Sequence, residues 1–454
     1  MSGPIRLVGL LTFLLTGVAT SGQSQVWKAG VARTVITPKQ SIWLGGYASR
    51  THVSEGKLHE LWAKALALED GTGKRAVLVT TDLLGFPKAI SDRIRDQLKQ
   101  TEGLGRDQII LNSSHTHSGP VLENALMDVY PLNGEQQVQV SQYSQLLEKQ
   151  IVELVRQAIK RLEPAQVFSG NGVTRFQVNR RSNKEASLLE QAALSGPNDF
   201  AVPVLKVLDR SGQVKAIAFG YACHPTVLDL YQWSGDYPGF AQLELEKAYP
   251  SATTLFFQGA AGDLNPLPRR TIPLARQYGR ELAVAVQRVI DEPMQSLTPE
   301  LKTGYTEIDL PLGPLPSETE LKTLTSSTEA YVQRWATRML AGRQRNEQVR
   351  LTYPYPVQLW QLGNQSLVSL GGEVVVEYAL SLKQRLGRGV FVMGYSNDVM
   401  GYIPSETVLR EGGYEGNSSQ MVYGQPSQWA PGLQARILSA VDTLVSQLMS
   451  VSPK

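Results

Sequence analysis

The stretch LNSSHTHSGP, Leu111 to Pro120, joins the end of an apolar run to a pair of histidines. The run QIILNSS predicts a buried strand, and His115 and His117 follow directly at its carboxyl end. Only five histidines occur in the 454 residues, and two of them lie in this stretch. Such a pair fits a metal site, half of a nucleophile-and-base pair, or the polar residues of a loop.

Four other apolar strands in the sequence end in the same way, with a small residue followed by a polar one. These are AIAFGYAC before His224, TLFFQGAA before Gly262 and Asp263, SLVSLGG before Glu373, and VFVMGYS before Asn397. Sheets with helices on their faces place ligand and catalytic groups just beyond the carboxyl ends of their strands. The repeated pattern predicts that these groups meet at one edge of one sheet, although each case alone also fits a strand-terminating turn.

The remainder of the chain alternates between strand and helix patterns. Hairpins are predicted over 61–86, 200–223 and 357–370, and helices over 88–100, 140–163, 272–290, 316–345, 373–386 and 433–448. The segment 412–432 is rich in Gly, Ser and aromatics and is typical of a long loop, either a lid or a surface loop. No flexible linker is visible, so the sequence predicts one domain over residues 25–454, of mixed α/β class with mixed β-sheets flanked by helices.

The composition is that of an ordinary globular protein, with 42% hydrophobic and 19% charged residues. The net charge of +3, from 44 basic and 41 acidic residues, gives no electrostatic reason to expect nucleic acid or an anionic membrane as a partner. Cys223 is the one cysteine, so no internal disulfide forms and stability depends on a large core. We expect Cys223 to be a buried, inert thiol.

Residues 1–24 predict a secretory signal peptide. Arg6 supplies a short positive region, and Leu7 to Thr16 form an apolar stretch that is too short to span a bilayer. The small residues of GVATSGQS then offer a cleavage site, and an N-terminal anchor helix is the alternative. No cysteine follows the apolar stretch, which excludes a lipoprotein anchor. The mature chain is therefore expected to be secreted or periplasmic, with no transmembrane segment.

The histidine pair suits a divalent metal. On an extended backbone, residues i and i+2 face the same side, so both imidazoles reach one centre. A third histidine and a carboxylate would complete the nitrogen and oxygen ligand set that zinc accepts. His224 and Glu373 are the best candidates for these positions.

Counting residues excludes several other hydrolase classes. The metallo-β-lactamase pattern needs an Asp and a further His directly after His-x-His, whereas Ser118, Gly119 and Pro120 follow here. Barrel amidohydrolases need two more downstream histidines, and only His224 is present. The Gly-x-Ser-x-Gly and His-Glu-x-x-His signatures are absent. A nucleophilic Ser118 beside His117 stays open.

Several motifs, in order along the chain, resemble the neutral/alkaline non-lysosomal ceramidases. They are HTHSGP, VNRR, GYACHPT, QGAAGDLNP, GGE, NDVMGYIPSE and YEG. The resemblance extends from about Val31 to near the C-terminus and covers the catalytic domain. The chain is expected to lack the β-sandwich domain into which the longer ceramidases continue.

The resemblance implies one zinc ion per chain, with the ligands His115, His224, Glu373 and Tyr402. It also implies supporting roles for His117, Arg180 and Tyr414. The implied activity is hydrolysis of an amide bond, with a small-molecule or lipid amide such as an N-acyl sphingosine as the substrate. In that reaction zinc makes hydroxide available near neutral pH, His117 carries the proton to the leaving amine, and Arg180 and Tyr414 hold the carbonyl oxygen.

The chain departs from the family pattern at Asn265. The ceramidases carry Gly-Asp-x-Ser-Pro, whereas this chain carries Gly262 to Pro266 with the sequence GDLNP, which makes Asp263 and Asn265 candidate site residues. Asn265 forms hydrogen bonds but cannot accept an acyl group. A covalent serine route would therefore leave the protein inactive, whereas attack by water would let Asn265 orient the substrate. The alternatives are hydrolysis of another ester or amide, and a zinc-stabilised binding protein without catalysis.

Two further carboxylates are candidates for a place near the site or for a second cation, Ca²⁺ or Mg²⁺. They are Asp82 in TTDLLGF and Asp236 in SGDYPG. His52 and His59 are interpreted as structural.

Overall fold

The computed structural model describes residues 26–191 and 193–450, together with Gly3. The predicted signal peptide, apart from Gly3, lies outside the described residues. None of the helices within this part of the chain has the length and apolar character needed to cross a membrane.

The strands are numbered along the chain. They are β1 (Trp27–Val35), β2 (Gly56–Lys57), β3 (Trp62–Glu69), β4 (Arg75–Thr81), β5 (Ile109–Ser113), β6 (Glu163–Val173), β7 (Gln177–Asn179), β8 (Ala201–Leu208), β9 (Val214–Tyr221), β10 (Gln232–Trp233), β11 (Thr253–Gln258), β12 (Leu264–Pro266), β13 (Gln295–Ser296), β14 (Leu301–Pro311), β15 (Thr352–Leu362), β16 (Gln365–Leu370), β17 (Glu373–Val374), β18 (Phe391–Met393) and β19 (Tyr402–Ile403).

The helices are numbered in the same way. They are α1 (Lys88–Glu102), α2 (Gly134–Lys160), α3 (Asp236–Ala248), α4 (Ile272–Asp291), α5 (Glu318–Leu324), α6 (Ala330–Gln344), α7 (Val376–Leu386), α8 (Glu406–Glu411), α9 (Ser419–Val422) and α10 (Leu433–Ser450). Short 3₁₀ turns cover Arg106–Gln108 and Glu185–Glu190, and a π-helical turn covers Tyr414–Ser418.

Two mixed sheets form the centre of the fold. The larger has the order β11-β9-β8-β6-β1-β3-β4-β5, with β13 paired to β6, and the smaller has the order β14-β15-β16-β18. The pairs β4–β5, β9–β11 and β16–β18 are parallel, and the other pairs in these two sheets are antiparallel. The predicted α/β class with mixed sheets and flanking helices in a single domain is confirmed.

The two sheets pack face to face, and helices cover their outer faces. Between the sheets lies an apolar core that includes Trp27 and Phe257 of the larger sheet and Trp360 and Phe391 of the smaller one. Burying each such side chain contributes roughly 1.5–3 kcal/mol relative to leaving it exposed. Helices α1 to α4 pack on the larger sheet, and α7 and α10 pack on the smaller one. The result is a four-layered αββα arrangement.

Asn112 joins the strand ends of the two sheets. Its Nδ2 donates to the carbonyl of Gly394, just after β18, and its Oδ1 accepts from the N–H of Gln258 at the end of β11. Asn397 adds a second link, because its Oδ1 accepts from the N–H of Leu111 in β5. These buried hydrogen bonds bring the carboxyl ends of strands from both sheets to one place.

Several predicted elements differ from the structure. The single helix predicted over 316–345 is two helices, α5 and α6, and α6 is not simply an outer helix because it buries Trp335 and Met339. The first half of the segment 412–432 is helical, with the π-helical turn followed by α9, and only its second half is the predicted loop. The helix predicted from Glu373 begins at Val376, because Glu373 forms a strand pair first. In each case contacts distant in sequence override the local pattern.

Candidate metal centre

His115 and His224 reach the same point from two strands of the larger sheet. His115 follows β5 and has a φ of 64°, a left-handed conformation that is rare for a residue with a side chain. Such strained backbone persists where the surrounding structure enforces it, and here the N–H of His115 donates to the carbonyl of Leu83. His115 and His117 are therefore joined by a turn, and not by the extended backbone that the sequence predicts. His224 follows β9 and is fully buried.

Glu373 and Tyr402 come from the segments that follow the smaller sheet. Strands β17 and β19 form a short parallel pair in which Glu373 lies directly beside Tyr402. Both side chains are buried, with exposed fractions of 2% and 3%. The prediction that the polar groups share one edge of one sheet is wrong in this respect, because the site is assembled from two sheets. Asn397 takes part as a link between the sheets.

The four side chains converge closely. The Nε2 atoms of His115 and His224 lie 3.1 Å and 2.9 Å from Oε2 of Glu373, and the Tyr402 hydroxyl lies 3.3 Å from Nε2 of His224. Ligands of a tetrahedral zinc ion at 2.0–2.1 Å are separated by about 3.3 Å. The spacing therefore matches that of ligands around one small cation.

The tautomers of the two histidines favour the same interpretation. Nδ1 of His115 lies 2.6 Å from the carbonyl of Leu84, and Nδ1 of His224 lies 2.6 Å from the carbonyl of Ala261. A carbonyl only accepts, so each Nδ1 carries the proton and each Nε2 presents a lone pair. Two lone pairs then face Oε2 of Glu373, an arrangement that a bound cation would stabilise. Carbonyl partners of this kind are typical of metal-binding histidines.

The electrostatics keep these groups in metal-binding form. Burial, reinforced by the nearby Arg180, lowers the pKa of His224 to about 4, so the ring is neutral at pH 7. Burial raises the pKa of the Tyr402 phenol, which would ionise only with the help of a nearby cation. The residues present therefore fit a divalent metal ion.

His117 lies beside these groups but is held differently. Its Nε2 is 3.3 Å from Nε2 of His115, and the three histidines offer ligand atoms that all lie within 4.8 Å of one another. This buried cluster could hold a metal ion. Unlike the other two rings, however, His117 has no hydrogen-bond partner at Nδ1, which is buried against Gly46. Because Nε2 of His115 presents a lone pair, the His117 proton lies on Nε2, and Nδ1 of His117 is left without a partner.

Arg180 connects Tyr402 to Glu415 through hydrogen bonds to both side chains. It follows β7, and its Nη2 donates to the Tyr402 hydroxyl at 2.9 Å, while Nε donates to Glu415 at 2.7 Å. Its Nη1 lies 3.4 Å from Oδ1 of Asn265. The guanidinium thus lies between a candidate ligand and the residue at which this chain departs from the family pattern.

An open cleft of about 880 Å³ lies on this side of the centre and is lined by Arg180, Asn265 and Tyr414. Tyr414 stands at its margin, with 43% of its surface exposed and its ring 5.3 Å from that of Tyr402. The wall also carries the charged side chains Arg181 and Glu415, so the cleft is strongly polar.

Three candidate carboxylates accept hydrogen bonds within the fold, namely those of Asp263, Asp82 and Asp236. Asp263 takes a bond from the N–H of Val376 at the start of α7 and another from Asn179, each at 2.8 Å. Asp82 accepts from the N–H of Trp62, and Asp236 accepts from backbone N–H groups around the start of α3. Burial raises the pKa of Asp263 and of Asp236 to about 6.

The surroundings of Ser118, His59, His52 and Cys223 show packing or hydrogen bonding within the fold and no part in the candidate site. The hydroxyl of Ser118 is buried without any hydrogen-bond partner, so no base contacts it as a nucleophile would require. His59 packs on Phe240 and bonds to Ser234, and His52 stacks on Tyr231. Cys223 is a buried free thiol, as expected.

Two tyrosines that the sequence analysis missed contact Glu373. The Tyr423 hydroxyl donates to Oε1 at 2.5 Å, and the Tyr395 hydroxyl lies 3.4 Å from Oε2. Tyr395 also packs on the His115 ring at 4.5 Å. The sequence did offer a signal for both. Tyr395 lies in the run VFVMGYS before Asn397, and Tyr423 lies in the aromatic segment 412–432.

Comparison with known proteins gives a consistent result. Residues 27–267 match the family model described as neutral/alkaline non-lysosomal ceramidase, N-terminal. The chain is 25% identical over 252 residues to a neutral ceramidase of Drosophila melanogaster, covering 53% of this chain and 35% of that protein. It is 26% identical over 274 residues to neutral ceramidase B of Dictyostelium discoideum, covering 56% of this chain and 37% of that protein.

Solved structures show the same fold. A structure described as ceramidase complexed with C2 superposes with a TM-score of 0.73 at 19% identity, covering 94% of this chain and 76% of that one. The neutral ceramidase from Pseudomonas aeruginosa gives a TM-score of 0.71 at 20% identity, covering 94% and 75%. The match to the family model extends over more than half of the sequence, and the chain therefore belongs to the neutral/alkaline non-lysosomal ceramidase family.

Proposed function

We propose that this protein is an exported zinc-dependent hydrolase that cleaves an amide bond. The observation that carries the proposal is the convergence of Nε2 of His115 and Nε2 of His224 on Oε2 of Glu373, at 3.1 Å and 2.9 Å. In the proposed site His115, His224, Glu373 and Tyr402 hold one zinc ion. When bound there, zinc would lower the pKa of water towards about 7 and polarise a carbonyl group.

His117 is the proposed proton-transfer group. Burial and the neighbouring His115 and His224 lower its pKa well below the usual value, so it is neutral at pH 7 and can accept a proton. Because no carbonyl holds its Nδ1, the neutral ring would be able to take a proton from the attacking water and release it to the leaving amine. The metal ligands cannot do this, because carbonyl groups fix their Nδ1 protons.

Arg180 and Tyr414 are proposed to stabilise the substrate's carbonyl oxygen as negative charge develops on it. Arg180 also supports ionised Tyr402 through their 2.9 Å hydrogen bond. Asn265 is proposed to orient the substrate in the cleft, since its amide group both donates and accepts hydrogen bonds. No covalent intermediate at position 265 is part of this mechanism.

The substrate proposed first is an N-acylated lipid, because the curated relatives are neutral ceramidases. A second candidate is a non-lipid amide or an ester. It is favoured by the polar cleft beside Arg180 and by Asn265, which replaces the serine of the ceramidase pattern. An inactive zinc-stabilised binding protein is the remaining alternative.

The test is hydrolysis by purified protein of a short-chain fluorescent ceramide, its ester analogue and an N-acyl amino acid. We expect turnover of at least one of these, its loss on complete chelation, and its recovery on addition of zinc. Activity that survives zinc removal would defeat the metal-dependent mechanism. Full zinc occupancy without turnover of any of these substrates would favour the binding protein.

A further inference from the structure

The cleft beside the candidate metal centre has a wall that is almost entirely polar. Among the side chains that line it, only those of Ala186 and Leu267 are aliphatic, and seven are charged. A long alkyl chain laid against this wall would remove charged and amide groups from water without pairing them, which costs free energy. The cleft therefore suits a polar end of the substrate better than a hydrocarbon chain.

The charges of this wall do not cancel, because four of them are positive and three are negative. Six of the seven side chains are held in ion pairs, which join Arg180 and Arg181 to Glu415, Arg181 to Glu411, and Arg269 to Glu185. The seventh is Lys184, which is exposed and whose ammonium group has no hydrogen bond or ion pair within the described residues. An anion in the cleft would therefore pair with Lys184 without breaking an existing ion pair.

Asn265 offers a hydrogen-bond donor in the same cleft. Its side chain is only 7% exposed, and one of its amide atoms lies 3.4 Å from Nη1 of Arg180. Because a guanidinium group only donates, that atom is the oxygen Oδ1, and Nδ2 is the donor that remains. No described residue accepts a bond from Nδ2, and this atom keeps surface open to solvent at the cleft that Asn265 lines. An acceptor group in the cleft is thus able to contact it.

This donor lies one side chain away from the candidate metal centre. Arg180 contacts Oδ1 of Asn265 through Nη1 and the Tyr402 hydroxyl through Nη2, and both nitrogens belong to one guanidinium group. A group held by Asn265 and a bond cleaved at the centre therefore fit within one small molecule. In an N-acyl α-amino acid the carboxylate carbon is two bonds from the amide nitrogen, which gives an acceptor this close to the cleaved bond.

We propose that the cleft binds a carboxylate group of the amide substrate, which accepts a hydrogen bond from Nδ2 of Asn265 and pairs with Lys184. One carboxylate matches the single net positive charge of the wall, whereas a phosphate dianion would exceed it. The substrate class is then an N-acyl α-amino acid, which one water molecule hydrolyses to a carboxylic acid and the free amino acid. The inference rests on the proposed function, and it makes Asn265 and Lys184 specificity-determining residues.

The experiment compares the hydrolysis of N-octanoylglycine and N-octanoylethanolamine by the purified, zinc-loaded protein. The two amides share an acyl chain and have amine portions of similar length, but only the first carries a carboxylate at neutral pH. Release of octanoate gives kcat/KM for each, and the measured quantity is the ratio of the glycine amide to the ethanolamine amide. We expect a ratio of at least about five for the wild type, and a lower ratio would overturn the inference.

Two variants test the two residues separately. Asn265→Asp keeps the shape of the side chain and an oxygen towards Arg180, but it replaces the donor by an oxygen that repels a carboxylate. We expect the ratio to fall at least about tenfold. Lys184→Gln should lower it about two- to fivefold, the usual size of an exposed ion pair.

Lys39→Gln is the control, since Lys39 is an exposed lysine that does not line the cleft, and it should leave the ratio unchanged. General damage to the fold lowers both kcat/KM values together and leaves the ratio unaltered. An unaltered ratio in Asn265→Asp would therefore overturn the inference, and so would an equal fall in Lys184→Gln and Lys39→Gln.

Binding of the same two amides, measured by ligand-observed NMR titration, separates this inference from the proposed function. Absence of turnover of these amides and of short-chain ceramide and its ester analogue would defeat the proposed function. At least about fivefold tighter binding of N-octanoylglycine would then still support the carboxylate subsite, whereas equal binding would defeat it as well. Hydrolysis of the ceramide but of neither octanoyl amide would overturn the subsite and leave the proposed function standing.

Discussion

Nε2 of His224 lies 2.9 Å from Oε2 of Glu373, although 149 positions separate the two residues in the chain. The carbonyl of Ala261 takes the Nδ1 proton of the same ring, so the short contact brings a lone pair against a carboxylate oxygen. A cation between the two groups would convert this repulsion into attraction.

Glu373→Gln removes the one carboxylate of the proposed ligand set. Because the amide carries no charge, we expect zinc affinity to fall at least about 100-fold, the upper end of the loss seen for outer-shell partners. Competition with a chromogenic chelator measures it. Glu411→Gln is the control, since that exposed carboxylate pairs with Arg181 and should leave zinc binding unaltered. Equal zinc affinity in both variants would exclude Glu373 as a ligand.

His117→Ala separates proton transfer from metal binding. We expect zinc content to be retained and kcat to fall about 10²- to 10⁴-fold, the usual contribution of general acid–base catalysis. Zinc content and kcat of the same preparation are the measurements, and His52→Ala on the surface is the control. Loss of zinc in proportion to loss of activity would instead make His117 a ligand.

Arg180→Met and Arg181→Met form a matched pair. Both arginines donate to Glu415, but Arg180 also reaches the Tyr402 hydroxyl. Loss of an electrostatic donor at the reacting oxygen predicts a fall in kcat of about 10²- to 10³-fold for Arg180→Met. For Arg181→Met we expect less than a tenfold change. Similar losses in the two variants would show that only the pairing with Glu415 matters.

Gly46→Ala tests the packing of His117. Gly46 has a φ of 103°, and an added Cβ would lie 2.4 Å from Cγ of His117. Gly73 has a φ of 90° with open space around it, so Gly73→Ala carries the backbone cost alone, roughly 1–2 kcal/mol. We expect both variants to lose thermal stability, while only Gly46→Ala loses kcat. Unchanged kcat in Gly46→Ala would show that His117 tolerates displacement.

The buried carboxyl of Asp398 should make the free energy of unfolding depend on pH. Burial raises its pKa to about 7, although Tyr353 and Lys88 act in the opposite direction. The folded state therefore holds this proton more tightly than the unfolded state, and stability is lost as pH rises towards 7. Asp398→Asn lacks that loss. Between pH 5 and pH 8, the free energy of unfolding of the variant minus that of the wild type should therefore rise by about 3 kcal/mol. Chemical denaturation at the two pH values measures the difference, and a constant difference would contradict the raised pKa.

Much of this protein follows from local sequence. The alternation of short apolar strands with amphipathic helices predicts the mixed α/β class, because side-chain periodicity depends only on the backbone. His115 and His117 are neighbours in any fold, since only Thr116 lies between them. Small-then-polar strand ends also identified His224 and Glu373, because groups that follow the carboxyl ends of strands are brought together at the edge of a sheet.

The tertiary structure decided what those groups do together. Only the packing of two sheets brings Glu373 and Tyr402, in the strand pair that follows the smaller sheet, to His115 after the larger one. Only the hydrogen bond to the distant carbonyl of Leu84 distinguishes His115 from His117, whose Nδ1 has no partner. The unpaired oxygen of Asp398 likewise exists only in the packed chain. Local sequence sets each element and its exposed residues, whereas the contacts that assign their roles join segments far apart in the chain and form only when the sheets pack.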